Sequence, residues 1–529
     1  MVSIVREVSQ PTPAKVLIVG AGPTGLTAAA FFARQNVDFD LIDTRSAPVD
    51  ESRALGVHAR SLEFMSMLGL DEAFIEQGHP TRYMTFHRGE KKLFKFDFGV
   101  LANETRYPYM LVLPQSRSER ILAEYLKQVG ARIGWQSKLR SFSQDDEGVS
   151  AEIEDADGQI TRRRYSYLIG CDGAASLVRN TLGISFEGET YPLQFLLSEV
   201  KIDRNAIDRS SSHVFMGKET TVAVIPQPDD VYRIVGPDFS VGKQSEEIAG
   251  KRELEFNDFD RFLIRNDLLQ HVRLQNPSRL VSYRIHKRVA ARYRQGRVFI
   301  AGDAAHIHSP AGGQGMNTGL NDVANLTWKI AAVLQGNADV SLLDSYEDER
   351  RPAALSIVTN ADAAMMKVVS RSLGARFLFD YIAPLVTRYY QPYRLLATMA
   401  QLSWHYPQLK AGPGKAGASD PAVGARLADY PLRGGGRANQ RLGISQYVAF
   451  RSGDGTRTDT VDHPLVPSNA RPGRGIASFA QPVTLGPAKK PFSGIVLVRP
   501  DGYVAATYAS ESELDSTPVP QNFPHVSRL

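Results

Sequence analysis

The sequence predicts an α/β protein in which strand–turn–helix units flank a block of antiparallel strands. An apolar run at residues 16–19 leads through a glycine-rich turn into residues 26–33, which favour a helix. Two further apolar runs, at residues 167–170 and 298–301, also end in turns that contain glycine and aspartate. Between them, residues 212–236 alternate apolar and polar side chains around a proline-containing turn, which is typical of antiparallel hairpins.

The first glycine turn has the spacing of a dinucleotide-binding loop and reads Gly20-Ala21-Gly22-Pro23-Thr24-Gly25. Gly20 permits the tight turn, Gly22 lets a pyrophosphate approach the backbone, and Gly25 lets helix and strand pack closely. The helix that follows presents free N–H groups and the positive end of its dipole to the phosphates. Asp43 ends the next predicted strand, at about the 20-residue spacing expected for the acid that binds a ribose hydroxyl. This turn alone does not distinguish NAD from FAD.

Two later stretches favour FAD. Cys171-Asp172-Gly173 follows the second apolar run, and Gly302-Asp303 follows the third. A glycine-rich loop then opens a second helix, whose N-terminus can bind a second electronegative end of the same cofactor. In a flavin, that end is the N1–C2=O2 edge, which becomes negative on reduction.

Together these stretches resemble the motifs of class A flavin-dependent aromatic hydroxylases, of the p-hydroxybenzoate hydroxylase, phenol hydroxylase and pentachlorophenol monooxygenase type. Residues 52–60, 113–119 and 346–352 resemble the same family, and the resemblance covers about residues 14–400. It implies FAD as the cofactor and NADPH or NADH as co-substrate. It also implies that O₂ reacts through a flavin C4a-hydroperoxide, which hydroxylates a phenolic or polycyclic aromatic substrate.

The resemblance implies roles for single residues of the cofactor site. Arg53 would meet the pyrophosphate, Gln115 the ribityl side, and the backbone at Leu139 the adenine. The remaining implied contacts are Asp172 and Gly173 with both FAD and NAD(P)H, Asp303 with ribityl or pyrophosphate-linked oxygens, Gly315 with the flavin edge, and the backbone N–H groups of Met316 and Asn317 with the flavin pyrimidine.

The catalytic residues are less well defined by the sequence. Pro310 resembles the family's proline whose carbonyl faces the active centre. A phenol with a pKa of about 10 needs a base to attack well, and His308, Tyr232 and Tyr283 are candidates by region only. His306 and His308 look like a metal pair, but no third ligand or cysteine is close in sequence, so we expect no metal.

Composition bounds the class of protein. The chain has 529 residues, of which 43% are hydrophobic and 22% charged, with a net charge of +5 and a single cysteine. These values are ordinary for a globular protein and rule out an internal disulfide. The longest apolar runs have the length of strands, so we expect no membrane span. No signal peptide, zinc spacing or basic tail is evident, which favours a cytoplasmic protein with no nucleic-acid partner.

The motifs predict a Rossmann-like FAD-binding domain with an inserted antiparallel-sheet substrate domain and a small C-terminal domain. We assign residues 1–184 to the first part of the FAD-binding domain, with a small insert near 81–110, and 185–284 to the substrate domain. Residues 285–410 continue the FAD-binding domain into a helical region, and 412–418 form a linker. Residues 420–529 resemble a degenerate thioredoxin-like domain, for which we expect a packing or homodimer contact.

Two alternatives remain open from the sequence. A related flavin chemistry would insert oxygen beside a ketone, or form a quinone, on a polyketide-like substrate. A different class of protein would bind flavin for partner recognition without turnover. NAD(P)H consumption stimulated by a ring compound distinguishes the enzyme from the recognition protein.

Overall fold

The computed structural model describes most of the cofactor and substrate domains and part of the C-terminal domain. The described residues are 15–50, 52, 54–203, 205–218, 220–238, 256–270, 272–307, 311–369, 373–407, 409, 421–430, 437–443, 447–451, 480–484 and 495–508. The predicted site residues Arg53, His308 and Pro310 lie outside these ranges, as does the predicted linker 412–418.

A mostly parallel sheet with one antiparallel edge strand, Arg294–Gln295, forms the centre of the cofactor domain. In the described chain its strands stand in the order Arg294–Gln295, Val298–Ile300, Tyr167–Gly170, Val16–Val19, Phe39–Ile42 and Ile133–Gly134. The strand Val16–Val19 pairs in parallel with both neighbours and is fully buried, as expected for a strand covered by helices on both faces. The strand, glycine turn and helix predicted at residues 16–33 are therefore confirmed.

Helices pack on this sheet and on the large antiparallel sheet of the chain. The described helices are α1 Pro23–Arg34, α2 Ala59–Leu68, α3 Asp71–Gln77, α4 Gln115–Gln128, α5 Leu177–Thr181, α6 Phe256–Arg265, α7 Gln314–Leu334, α8 Ser345–Val369, α9 Leu373–Phe377, α10 Ala383–Tyr389 and α11 Tyr393–Met399. A π-helical turn, Leu378–Ile382, joins α9 to α10. Two small sheets also pack on the cofactor domain: Ile160–Tyr165, Val149–Glu154 and Lys138–Gln144, and Gly56–Val57, Met110–Val112 and His79–Thr81.

A large, mostly antiparallel sheet occupies the region that the sequence predicts to be the substrate domain. Its described strands stand in the order His306–Ile307, Leu274–Ala290, Phe186–Ile202, Val231–Asp238, Thr221–Pro226, Ser211–Met216, Tyr83–Arg88 and Lys91–Asp97. The hairpins predicted at residues 212–236 are confirmed. The insert predicted near 81–110 contributes the last two strands to this sheet, through parallel pairing of Tyr83–Arg88 with Ser211–Met216. These strands therefore belong with the substrate domain in space.

The C-terminal strands form a separate mixed sheet. The described order is Ala480–Thr484, Tyr447–Arg451, Ile495–Val498 and Val504–Tyr508. The Pro-Asp-Gly sequence at residues 500–502 predicts a turn between two apolar strands, and this is confirmed, because the last two strands pair antiparallel around a turn at Arg499–Gly502. Most of residues 430–490, where thioredoxin-like helices were expected, lie outside the described ranges.

A buried network of charges joins this last hairpin to α7 and α8. Arg499 donates to both carboxylate oxygens of Glu349 at 2.8 Å and to Asp501 at 2.6 Å. Lys329 donates to Glu349 at 3.0 Å, and Asn325 donates to Glu349 at 2.6 Å and Asp501 at 3.2 Å. These charged side chains are almost fully buried. The helices and the hairpin each contribute one cation and one anion, and docking joins the two pairs through the contact between Arg499 and Glu349.

Replacing Glu349 by Gln should lower the free energy of unfolding by about 3 kcal/mol or more, because Arg499 and Lys329 would share a single buried counter-charge. Urea denaturation at neutral pH measures this loss. Glu124→Gln is the matched control, since Glu124 and Lys127 form a solvent-exposed pair whose charged atoms are 4.0 Å apart.

The same variant should show a defined pH dependence. Burial alone would raise the pKa of Glu349, but Arg499 and Lys329 lower it to about 2, from an ordinary value of 4.5. A carboxyl group whose pKa is lower in the folded chain stabilises the fold above its unfolded pKa and loses this effect as the pH falls. The difference between wild type and E349Q should therefore shrink from pH 4.5 towards pH 2. A constant difference over that interval would contradict this assignment.

Candidate functional site

Three motifs that are far apart in sequence meet at one edge of the parallel sheet. Gly20 has a φ of +103°, and a Cβ there would overlap the carbonyl oxygen of Cys171. A Cβ on Gly302, which has a φ of +62°, would lie 2.5 Å from the Thr24 Oγ1. A side chain at either glycine would thus force two of the motifs apart. The predicted convergence of the three motifs is confirmed.

The N-terminus of α1 has room for a pyrophosphate. A Cβ on Gly22, the N-cap residue, would meet no atom within 4 Å, whereas one on Gly25 would overlap the Gly20 carbonyl oxygen. Pro23 occupies the first turn, and none of the described side chains caps this helix end. Its N–H groups and positive dipole end therefore face open space at the glycine turn.

A second free helix N-terminus belongs to α7, which is 21 residues long. Gly312 and Gly313 precede it with φ values of +74° and +65°, and no side chain of the described chain caps its first turn. Gly315 and Met316 lie in that turn, so their N–H groups have no partner within the helix. This arrangement fits the electronegative pyrimidine edge of a flavin.

Asn317 and His58 hold the loop before α7 in place. The Asn317 side chain accepts hydrogen bonds from the His58 backbone N–H at 2.9 Å and from Ser61 at 2.7 Å. It donates to the carbonyls of Gly56 at 2.8 Å and Gly313 at 2.7 Å. The His58 Nε2–H donates to the Gly312 carbonyl at 2.7 Å. Burial lowers the pKa of His58 to about 4, so its ring is neutral at pH 7.

Asp43 closes the other end of the glycine turn. Its carboxylate accepts from the Ala21 N–H at 2.6 Å and from the Arg45 side chain at 3.0 Å and 3.1 Å. Burial alone would raise the pKa of Asp43, but these contacts hold it below its usual range. A carboxylate has about four acceptor positions, and both oxygens of Asp43 already accept hydrogen bonds from Ala21 or Arg45. A ribose hydroxyl would therefore donate to an oxygen that already has a partner.

The region predicted to bind the ribityl side is anchored by Gln115. The Gln115 Oε1 accepts from the Ala54 N–H at 3.3 Å, and its Nε2 donates to Glu119 at 2.9 Å. These contacts place it beside the segment that contains Arg53. Leu139, predicted to meet the adenine through its backbone, is a buried residue of the strand Lys138–Gln144. Both roles remain predictions.

Asp172 and Asp303 occupy different environments. Asp172 accepts from Ser176 at 2.5 Å and from the Val178 N–H at 3.1 Å, and burial raises its pKa. Gly173 beside it has a φ of +79° and open space around its Cβ position. Asp303 is exposed in a short turn that begins at Gly302.

Comparisons with known proteins agree with this geometry. The FAD binding domain family matches residues 13–361. The chain belongs to this family. A 6-methylpretetramide 4-monooxygenase of Streptomyces rimosus is 33% identical, over 93% of this chain and 90% of that protein. The pentachlorophenol 4-monooxygenase of Sphingobium chlorophenolicum is 36% identical, over 69% of this chain and 67% of that protein.

Solved structures show the same architecture. The OxyS anhydrotetracycline hydroxylase from Streptomyces rimosus superposes with a TM-score of 0.71 at 29% identity, over 94% of this chain and 96% of that one. The protein is an FAD-dependent monooxygenase, and its predicted resemblance to class A flavin-dependent aromatic hydroxylases is confirmed. FAD as its cofactor is confirmed with it.

The catalytic candidates of this monooxygenase are only partly described. Tyr232 is fully buried and packs with Ile234 and Phe259 between the large sheet and α6. Its neighbour Arg233 points the opposite way and donates to the Ser52 carbonyl of the cofactor domain at 2.8 Å. Tyr232 therefore lies on the face of the sheet opposite to Arg233, and its catalytic role stays a prediction.

Tyr283 lies on the cofactor-facing side of the sheet. Burial raises its pKa to about 12, although Arg233 and Arg279 act to lower it. At neutral pH its hydroxyl is protonated and can donate a hydrogen bond, but it cannot serve as a base. His306, in contrast, is buried against Asp322, with its Nε2 at 2.6 Å from the Asp322 carboxylate. Its role is structural.

Sequence reasoning missed Asp322, which connects the Gly-Asp motif to the rest of the core. Besides His306, it accepts from the Gly302 N–H at 3.1 Å and from Arg350 at 2.9 Å. Burial alone would raise its pKa, but His306 and Arg350 hold it below its usual range. The sequence indicated a buried role for Asp322 only through its position in a predicted helix, between the apolar residues Leu320 and Val323. His58 was missed because a single histidine before a helix is common in any fold.

Two general findings complete the description of the site. Among the described residues, no group of three or more His, Cys, Asp and Glu side chains could hold a metal ion. None of the helices in the described ranges is long and apolar enough to cross a membrane.

Gly22→Val and Gly25→Val should both abolish FAD binding, but only Gly25→Val should prevent folding. At Gly22 the added side chain meets no protein atom but fills the space of the pyrophosphate, so the apoprotein should fold and lose FAD. At Gly25 it overlaps backbone, so the fold itself should fail. Flavin absorbance after gel filtration and circular dichroism measure the two properties. A G22V protein that retains FAD would refute the placement of the pyrophosphate.

His58→Leu should weaken FAD binding by about tenfold, because the buried Gly312 carbonyl would lose its hydrogen-bond donor and the loop before α7 its anchor. His58→Gln keeps a donor and should recover most of the affinity. Flavin fluorescence titration of the apoprotein gives both dissociation constants. Equal losses in the two variants would show that the ring's volume matters and that the hydrogen bond does not.

Proposed function

We propose that this monooxygenase hydroxylates a phenolic ring of a monocyclic or polycyclic aromatic compound, using O₂ and NADPH or NADH. The proposal rests on the three motifs, which meet at one edge of the parallel sheet beside two free helix N-termini. The large antiparallel sheet is held against the same domain. The relatives support the substrate class, since their names include a pentachlorophenol 4-monooxygenase and a 6-methylpretetramide 4-monooxygenase.

The chain's own residues bind and orient. The α1 N-terminus at Gly22 would hold the pyrophosphate, the exposed Asp303 the ribityl or phosphate-linked oxygens, and the first turn of α7 the pyrimidine edge. Bound FAD would accept two electrons from the nicotinamide and activate O₂. One oxygen atom then enters the substrate as a hydroxyl group and the other leaves as water.

The substrate would lie between the large sheet and the cofactor domain. Ile225 of the sheet packs against Leu55, Met110 and Val112 of the cofactor domain, which gives this junction an apolar wall. Nearby, Arg233 and Arg279 from the sheet both donate to the Ser52 carbonyl, at 2.8 Å each. These arginines fix the sheet over the segment that leads to Arg53. The apolar wall suits an aromatic ring and excludes water from it.

We expect purified protein to contain noncovalent FAD and to consume NADPH or NADH faster when a suitable phenol is present. With ¹⁸O₂, one labelled oxygen should appear in the product and the other in water. Mass spectrometry of products from a panel of simple phenols and tetracyclic phenolic polyketides tests both points. The fragment pattern separates ring hydroxylation from oxygen insertion beside a ketone.

Two outcomes would contradict the proposal. Label that enters the product from H₂¹⁸O would indicate dehydrogenation followed by hydration. NAD(P)H consumption that no aromatic compound in the panel stimulates, together with bound flavin, would favour a recognition protein.

A further inference from the structure

Glu199 places a carboxylate on the side of the large sheet that faces the cofactor domain. Its Oε1 accepts hydrogen bonds from the Arg233 guanidinium and, at 3.4 Å, from Gln227. Arg233 also donates to the Ser52 carbonyl of the cofactor domain, so Glu199 lies on that same face of the sheet. No group of the described chain donates to the Glu199 Oε2, and the side chain is only 19% exposed. This oxygen is therefore an open acceptor near the junction of the two domains.

The register of the strands determines what surrounds this oxygen. Glu199 lies directly between Arg279 on one neighbouring strand and Arg233 on the other, and Ile225 follows Arg233 in the same row. Ile225 contributes to the apolar wall at the junction with the cofactor domain. The next row on this face is apolar and consists of Val281, Leu197, Val235 and Ala223. The open carboxylate oxygen thus lies at the edge of a surface that suits an aromatic ring.

We propose that Glu199 is a catalytic residue of this monooxygenase, whose Oε2 accepts the hydroxyl proton of a neutral phenol while the ring is oxygenated. This role depends on the proposed function, ring hydroxylation of a phenol. Tyr283, on the same face of the sheet, keeps its own proton at neutral pH and cannot fill this role. A carboxylate attracts a hydrogen-bond donor and repels a phenolate. The substrate class therefore narrows to phenols that bind with the hydroxyl group protonated.

The proton transfer is coupled to the formation of the new C–O bond. The ring supplies the electron pair of that bond, the O–O bond of the reduced dioxygen breaks, and the second oxygen leaves as water. The phenol C–O bond becomes a carbonyl, its O–H electron pair stays on oxygen, and the proton passes to Glu199. A free phenol, with a pKa of about 10, would not give its proton to a carboxylate, but the protonated ketone formed by oxygenation is a much stronger acid. The ring then loses its C–H proton to water, and Glu199 returns its proton to the carbonyl oxygen.

The charged groups around Glu199 in the described part of the sheet are cations. Arg233 and Arg279 flank it, and Lys201, two positions along its own strand, is exposed. From the cofactor domain, the Ser52 carbonyl accepts from both arginines. Burial lowers the pKa of Arg233, and Glu199 acts to raise it. A replacement at Glu199 should therefore keep an acceptor for Arg233, as the amide oxygen of Gln does.

Glu199→Gln should lower the rate of ring hydroxylation about a hundredfold at neutral pH, because the general base is lost. The KM for the phenol should change much less. NAD(P)H should still be consumed, with H₂O₂ formed in place of the hydroxylated product. The hydroxylation rate of E199Q should rise towards about pH 10 as the phenol itself ionises, since a phenolate needs no base. Product mass, NAD(P)H absorbance and peroxide assays on the FAD-loaded protein measure these quantities.

Three further variants separate a base from a structural carboxylate. Glu199→Asp keeps a carboxylate, so it should retain more hydroxylation at neutral pH than E199Q and show no comparable rise with pH. Arg233→Met removes the contact with Ser52 but keeps the base, so its loss of activity should be the same at every pH. Glu189→Gln changes an exposed carboxylate of the same strand and should leave the rate unchanged.

Binding of 4-nitrophenol to the FAD-loaded protein gives a second measurement that needs no turnover. Its phenolate is coloured, so difference spectra over a pH series report the apparent pKa of the bound phenol. This pKa should be higher in wild type than in E199Q by about one unit or more, because a carboxylate disfavours the phenolate and an amide N–H favours it.

Equal apparent pKa values in the two proteins would overturn the proposal. So would unchanged hydroxylation in E199Q, or a loss that no rise in pH relieves. A wild-type protein that hydroxylates no phenol of the panel would refute the proposed function itself, and the role of Glu199 with it.

Discussion

The buried carboxylate of Asp322 is the contact on which the cofactor site depends. It binds the backbone N–H of Gly302 from one side and the side chains of His306 and Arg350 from the other. Gly302 can therefore hold its left-handed conformation, which brings the Gly-Asp motif against Thr24 at the start of α1. The helices α1 and α7 pack directly on each other, since a Cβ at Gly319 would lie 2.5 Å from the Thr24 Oγ1, and Asp322 adds the Gly-Asp motif to this pair of free helix ends.

The sequence revealed those parts of the site in which backbone geometry restricts the residue type. Gly20 and Gly25 leave no room for a side chain, so the requirement is visible as a glycine at a fixed spacing. The partners of His58 lie hundreds of positions away in the sequence, and those of Asp322 lie in neighbouring elements. A single sequence does not show which of these residues come into contact. Burial of a charge within an apolar helix was the one local indication for Asp322.

The inserted sheet shows where local patterns stop being informative. The alternation at residues 212–236 predicted hairpins correctly, because neighbouring strands pair through short turns. It did not predict that Tyr83–Arg88 pairs with Ser211–Met216, because that pairing joins strands more than a hundred residues apart. Region alone also could not tell the two faces of a strand apart. Tyr232 and Arg233 are adjacent in sequence, yet only Arg233 reaches the cofactor domain.

The docking of the last hairpin has a consequence for how the chain is made. Glu349 emerges from the ribosome about 150 residues before Arg499, which is its buried partner. During synthesis, Lys329 and Glu349 can pair with each other, but Glu349 lacks its two hydrogen bonds from Arg499 until the C-terminal turn has been translated. This part of the core is therefore completed only after Asp501 has emerged, although the nucleotide-binding motif at residues 20–25 is translated hundreds of residues earlier. Nascent chains that stall before residue 499 would expose that unfinished core to chaperones and proteases.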